Sequence, residues 1–402
     1  MRSAPCHSRF FALLAFVLLF SRAVVLGQTN FGDPLPGLTA DELHRFQAGK
    51  AAFEEIEGAA DGVGPVFNRD SCSACHDNQA TGGGSAIFST RIGTRINRQF
   101  DPLVRRGGPV IQTEGIVGRE GYVFAGEVIP AEATIIARRR TPPTFGLGLV
   151  DAVPDVLLLG LTLKQALQTP ETAGRPNLVT DLRTGRWRIG RLGWKAAVPN
   201  LTNFSGDAYK EEMGITTPGW LPDEDGRLID DENPPQGDTG LLEYNPAENP
   251  NEGDIEDVVL FTDFMTFLAP PPRGPITVAV RQGEKLFTSI GCADCHVPVL
   301  YTGNHASPAL RFRRVAAYSD FLLHDMGALG DGIEQGQARG TEMRTAPLWG
   351  LRTQPSFLHD GRATTLKEAL LQHEGQGSPA RIRFQRLKWW EQEQLLAFLN
   401  SL

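Results

Sequence analysis

Apolar positions recur at helical spacing around Phe46–Phe53 and again around Arg281–Phe287. In both places a glycine stands four residues ahead of a phenylalanine, Gly49 before Phe53 and Gly283 before Phe287. The pattern predicts two helices, each with a small residue where a second helix can approach and an aromatic ring to pack beside it. Two further apolar helices are expected at Val258–Leu268 and Trp389–Leu402, one closing each half, and a shorter helical run ends at His373. Between the halves, the proline-rich Ala269–Pro275 reads as a stiff linker over 270–275, separating an N-terminal unit, 28–269, from a C-terminal unit, 276–402. The stretch from about 162 to 256 fits neither helix pair and is expected to be a long irregular insertion. Its later part, Asp223–Asp257, is crowded with Asp, Glu, Pro and Asn and has no apolar period.

At the N-terminus, Arg2 and Arg9 precede an apolar run, Phe10–Phe20, with a small-residue exit near Gly27. Residues 1–27 therefore read as a cleaved secretory signal and the mature chain as periplasmic; Arg22 cuts the run too short for a permanent anchor. No other segment is long and apolar enough to cross a membrane. The formal net charge of −8 argues against nucleic acid, whose phosphates demand clustered Lys and Arg, and leaves small molecules or proteins as partners.

Cys6 lies in the signal. The other four cysteines form two pairs, Cys72 with Cys75 and Cys292 with Cys295, each followed at once by a histidine, His76 or His296. A CxxC pair alone could be a zinc half-site, a redox dithiol or a local disulfide. The adjacent histidine and the expected export favour covalent haem. Two sulfurs along one haem edge anchor the porphyrin, and the next residue swings its imidazole under the iron. Two such sites predict two haem c groups and redox chemistry.

The halves repeat each other beyond these sites. Arg140–Leu147 answers Arg344–Leu351, and each half carries a glycine helix, a CxxCH and a closing helix. The expected fold is mainly α, two cytochrome c-like haem domains, the first bearing the insertion.

Several longer stretches resemble the bacterial di-haem cytochrome c peroxidase superfamily, and within it the di-haem oxidoreductases, also labelled peroxidases or thiol oxidoreductases. They are Gly62–Asn68, Thr141–Pro154, Arg191–Ala196, Leu323–Gly327 and Arg344–Glu374. The resemblance implies two facing haems, one reacting with hydrogen peroxide or another small oxidant and the other relaying electrons from a small redox protein. A haem-based oxidase of a protein or thiol, and a pure electron carrier, are the competing readings. The acidic run Asp223–Asp257 is a solvated loop or, on the sharper view, a docking patch for a basic donor. An interdomain calcium ion is also implied, but Asp223–Gly226 is too short a match to a ligand loop.

In the resembled peroxidases the position of His373 supplies the second axial ligand of the C-terminal haem, so bis-histidine ligation is expected there. His324 and His359 fit hydrogen-bonding or propionate-supporting positions better than ligation. His44 and His305 read as solvent-facing, and Met326 and Met343 as packing. No distal histidine is evident for the N-terminal haem, which suggests an open face. Asp151 is the candidate acid–base group, with a helix-capping role as its plain alternative. Trp194 is a candidate relay between the haems or a packing residue, and Arg140 and Arg344 are candidate partners of haem propionates.

Overall fold

The computed structural model describes residues 29–59, 61–117, 123–215 and 257–402. The expected signal, most of the acidic run and Asp223–Gly226 lie outside the described residues. In chain order the helices are α1 (Ala40–Glu54), α2 (Leu147–Asp151), α3 (Asp155–Gln168), α4 (Leu201–Ala208), α5 (Asp257–Phe267), α6 (Val278–Ser289), α7 (Leu366–Leu371), α8 (Ser378–Arg386) and α9 (Trp389–Leu399).

Thr39 caps α1 reciprocally with Glu42: Glu42 N donates to Thr39 Oγ1 at 3.2 Å and Thr39 N to Glu42 Oε2 at 2.8 Å. The helix buries Phe46, Gly49, Ala52 and Phe53 along one stripe against α5. Phe53 stacks 4.8 Å from Phe264 and Phe46 lies 5.4 Å from the same ring. A Cβ at Gly49 would collide with the Leu260 carbonyl, so only glycine lets the two backbones come this close. The arrangement returns between α6 and α9, where a Cβ at Gly283 would collide with Gln394 O and Phe287 packs 5.1 Å from Phe398. α7 is capped by Thr365 and ends at Leu371, so His373 stands just beyond the helix instead of on it.

Strands form over 88–140, where the expected mainly α fold named no element. β1 (Phe88–Ile96) pairs antiparallel with β2 (Gln99–Asp101), β3 (Val110–Ile111) and β4 (Ile135–Arg140), with Ile92 opposite Ile136. The fold is thus helical at its two glycine-helix pairs and mixed elsewhere. The expectation of an irregular insertion also needs correcting for 162–215. This stretch holds the end of α3, the hairpin of β5 (Leu178–Thr180) and β6 (Trp187–Ile189), α4, and a π-helical turn at Tyr209–Met213. Fully buried Arg191 organises it, donating to the carbonyls of Ile189, Asp151 and Val153 and pairing with Asp155.

α3 is turned against its own composition. Val156, Leu163 and Leu167 are 74%, 68% and 85% exposed, while Leu158 and Gln165 are buried. The hydrophobic core falls into two large clusters. The first gathers Phe46, Phe53, Phe261 and Phe264, and takes in Leu310, Val315, Phe321 and Trp349 from beyond residues 270–275. The second holds Val280, Phe287, Tyr318, Phe384 and Phe398. Two further strands, β7 (Leu323–Asp325) and β8 (Glu342–Arg344), pair beside these clusters.

Overpacking at the helix contact gives a direct test. Gly49→Val and Gly283→Val should each destabilise the protein by about 1–3 kcal/mol. Gly160→Ala, on the open face of α3 where an added Cβ meets nothing, should stabilise by about 0.5–1 kcal/mol. Denaturant unfolding midpoints of the three variants check this.

Candidate functional site

Each CxxCH segment closes as one tight turn. His76 N donates to Cys72 O at 3.1 Å and His296 N to Cys292 O at 2.9 Å. The second turn leaves α6 through Gly291, at φ +89°, a backbone conformation that glycine adopts readily. Both imidazoles are held the same way, with Nδ1 3.1 Å from Gly83 O in His76 and 2.9 Å from Tyr318 O in His296. A carbonyl accepts only, so Nδ1 carries the proton and Nε2 keeps the lone pair a metal needs. Burial pushes both pKa values down to about 4, so the rings are neutral. Each is backed by the phenylalanine of its glycine helix, Phe53 at 6.0 Å and Phe287 at 6.3 Å between ring centres.

The four cysteines among the described residues are free thiols, and burial pushes their pKa values up, to about 11 for Cys75 and about 12 for Cys292. These are not reactive thiolates. Among the described residues, no group of three or more His, Cys, Asp and Glu could hold a metal ion.

His373 comes to the second turn. Its ring centre is 6.5 Å from that of His296, and its Nδ1 is likewise tied back, 2.8 Å from Ala369 O. A metal–nitrogen bond of about 2 Å on each side, plus about 1 Å from nitrogen to ring centre, would set two axial imidazoles about 6 Å apart. The observed spacing suits one metal between them. Among the described residues, the ring in contact with His76 is that of Phe53, not a second imidazole.

A cavity of about 270 Å³ is lined by His296, His373, Arg140, Arg344, Trp194 and His359, among others. Arg140 donates to Ser356 O and Gln354 Oε1, and its Nε has no hydrogen-bond partner. Arg344 donates to Gly193 O at 2.6 Å and to Thr345 O at 3.1 Å. Burial lowers both guanidinium pKa values to about 10, and the contacts of both are carbonyl and amide oxygens rather than carboxylates. Buried cations satisfied only by neutral oxygens suit an anionic guest. Together with the two imidazole turns, they suit haem with its propionates.

Trp194 stands between the two arginines: its Nε1 donates to Arg140 O at 3.1 Å and its carbonyl accepts Arg344 N at 2.9 Å. Its ring meets His359 edge-on at 6.2 Å. Asp151 does not line the cavity. Its carboxylate accepts Leu201 N at 3.3 Å, at the head of α4, whose N-cap is Asn200, and burial raises its pKa. His44 is exposed, His305 accepts Ser307 N within its loop, and Met326 and Met343 line the cavity.

Two groups escaped the sequence reading. Glu212, on the π-helical turn, accepts Asn68 Nδ2 at 2.8 Å, and burial raises its carboxyl to about 7, near enough to Cys75 to raise that thiol. Lys195, wholly buried, pairs with Asp331 at 2.9 Å and donates to the carbonyls of Arg339, Gly340 and Glu342. Asp331 also pairs with Arg139 at 2.7 Å, which joins β4 to the loop between β7 and β8.

Residues 126–402 match the family model described as "Di-haem oxidoreductase, putative peroxidase". The chain belongs to the di-haem oxidoreductase family. The match takes in Cys292–His296, His373, Trp194 and both arginines, and begins after Cys72–His76. No curated protein matches the chain. Among solved structures it is similar to a MauG-like protein associated with microbial copper homeostasis, at 16% identity over 93% of both chains, TM-score 0.38. It is also similar to Kuenenia stuttgartiensis hydrazine synthase, at 14% identity over 99% of this chain and 100% of the other, TM-score 0.37. A third is the di-haem peroxidase BthA of Burkholderia thailandensis, at 14% identity over 74% and 94%, TM-score 0.31. All three likenesses are distant. Among the described residues of this di-haem oxidoreductase, no helix is long and apolar enough to cross a membrane.

The buried Lys195 cluster predicts a stability effect. Lys195→Met leaves Asp331 with Arg139 alone and should cost about 3 kcal/mol at pH 7. Arg139 and Lys195 hold the Asp331 carboxyl down at about 2. The wild-type contribution is therefore fully present above about pH 4 and is lost as pH falls toward 2. Denaturant unfolding at pH 7 and pH 3 should show the variant losing less on acidification than the wild type.

Proposed function

We propose that the protein is an exported di-haem c-type peroxidase that reduces hydrogen peroxide to water with two electrons from a small redox protein. Cys72 and Cys75 anchor one haem and Cys292 and Cys295 the other, within an N-terminal unit of 28–269 and a C-terminal unit of 276–402 joined at 270–275. When bound, haem supplies a one-electron iron centre at each turn and, where a face is free, a place for peroxide. The observation that carries this reading is the asymmetry of the two histidines. Besides its backing Phe287, His296 has a second imidazole, His373, at 6.5 Å, whereas among the described residues His76 is in ring contact with its backing Phe53 alone.

The chain's own residues divide the work accordingly. His296 and His373 close the second site and keep small molecules off it. His76, neutral and fixed through Gly83 O, holds the first site from one side. Arg140 and Arg344 bind the carboxylates of the cofactor, and Trp194, hydrogen-bonded to one arginine and backbone-linked to the other, lies on the path between the halves. Asp151 and Glu212 are both carboxyls raised by burial, and Glu212, close enough to Cys75 to raise its thiol, is the better placed as a proton store beside the first site. It is half protonated near pH 7 and keeps its proton below that.

Electron paramagnetic resonance of the oxidised holoprotein tests the reading. One high-spin signal that peroxide consumes, with turnover of a reduced donor, is expected beside one low-spin signal. His373→Gly should convert the low-spin signal to high-spin and leave the other unchanged. Two low-spin signals untouched by peroxide would instead leave an electron carrier. Cys292→Ala/Cys295→Ala should lower the haem retained after denaturation from two per chain to one.

A further inference from the structure

Beside the second CxxCH turn runs a buried chain of polar groups that the anchoring turn and its axial imidazoles do not require. His324, on β7, places Nδ1 3.4 Å from Cys295 Sγ and Nε2 3.0 Å from Asp320 Oδ2. Gln165 Nε2, from α3, donates to Asp320 Oδ2 at 2.8 Å and to Asp294 O, inside the CxxCH turn, at 2.7 Å. Gln165 Oε1 accepts Gly174 N at 2.8 Å, so the amide is satisfied at both ends. Asp320 also accepts Leu322 N at 3.0 Å, and its own N–H donates to Cys295 O at 3.1 Å. His324, Asp320 and Gln165 are 2%, 0% and 5% exposed. Gly174 lies flat against the imidazole, where a Cβ would stand 2.7 Å from Nε2 and 2.8 Å from Cε1. The ring is therefore held in place against the sulfur.

A carboxylate only accepts, so the nitrogen facing Asp320 carries a proton. The other nitrogen faces Cys295 Sγ. A free thiol can donate to it, but a thioether sulfur has no proton and accepts weakly. Once Cys295 is bonded to a haem vinyl carbon, both partners are satisfied only if Nδ1 is protonated too. Asp320, 3.0 Å from Nε2, provides the balancing charge against the burial that disfavours a charged ring.

We propose that His324 donates a hydrogen bond to the Cys295 thioether sulfur of the second haem and thereby raises that haem's reduction potential. The proposal rests on the reading that Cys295 carries haem. A donor with positive charge at the porphyrin edge stabilises the electron-richer Fe(II) state over Fe(III), and hydrogen bonding next to a metal centre is an established way to tune it. His324 is a positioning and tuning residue: it touches the cofactor's anchor, not the peroxide.

The test is a spectroelectrochemical titration of the full-length di-haem protein as wild type, His324→Leu and His324→Gln, after counting the haem retained on the denatured chain. His324→Leu should shift the Fe(III)/Fe(II) equilibrium of the low-spin haem about tenfold toward Fe(III), a fall of about 59 mV for one electron. His324→Gln, which keeps an N–H donor without the charge, should shift it about two- to threefold, and the other haem should not move in either variant. If His324→Leu fails to fold, the glutamine variant decides alone. An unmoved low-spin haem overturns the proposal, and so does an equal shift of both haems. A wild-type chain without haem on Cys295 overturns the underlying reading and the proposal with it, whereas retained haem with an unmoved potential removes the His324 proposal alone.

Discussion

An imidazole that is to bind iron has to be neutral, aimed and backed by something that does not give way, and the packing of both halves follows from that constraint. In each half a glycine lets two helices touch backbone to backbone, at Gly49 and at Gly283. That approach seats a phenylalanine, Phe53 or Phe287, against the flank of the histidine. The histidine is then pinned through Nδ1 to a carbonyl and pressed into surroundings dry enough to keep it unprotonated. Enlarging either glycine would separate the helices and withdraw the phenylalanine, and the ring would lose both its direction and its dryness.

The cavity imposes the opposite demand. Arg140 and Arg344 are charged groups withdrawn from water and satisfied by carbonyl and amide oxygens. Holding guanidinium groups in this way is costly unless an anion arrives. Their backbones are tied to Trp194 and, for Arg140, to His359, so the charges are fixed before any guest enters. Such preorganisation favours a rigid dianionic ligand over mobile counter-ions.

The parts legible in the sequence were those written over short spans. The glycine helices and their closing helices follow from a period of 3.6, and the CxxCH turns from five consecutive residues. The sheet of β1 to β4 carries no clean apolar–polar alternation, Ile135–Arg140 being three apolar residues followed by three arginines, and its strands pair across gaps of different length. Asp151 could not be placed from the sequence because its partner, Leu201 N, lies fifty residues on and is reached only when α4 folds back. His324 was visible as a histidine, but its meaning depends on Asp320, Gln165 and Gly174, which only the tertiary fold brings together. Gln165 was the hardest to foresee, since it occupies the buried face of a helix that leaves Leu163 and Leu167 in solvent.

The first core cluster draws Leu310, Val315, Phe321 and Trp349 from the far side of the proline-rich connection. The second cluster lies wholly within 280–402, whereas the first is completed by residues from both sides of 270–275. Loosening the shared cluster would therefore disturb packing on both sides of the connection at 270–275 at once.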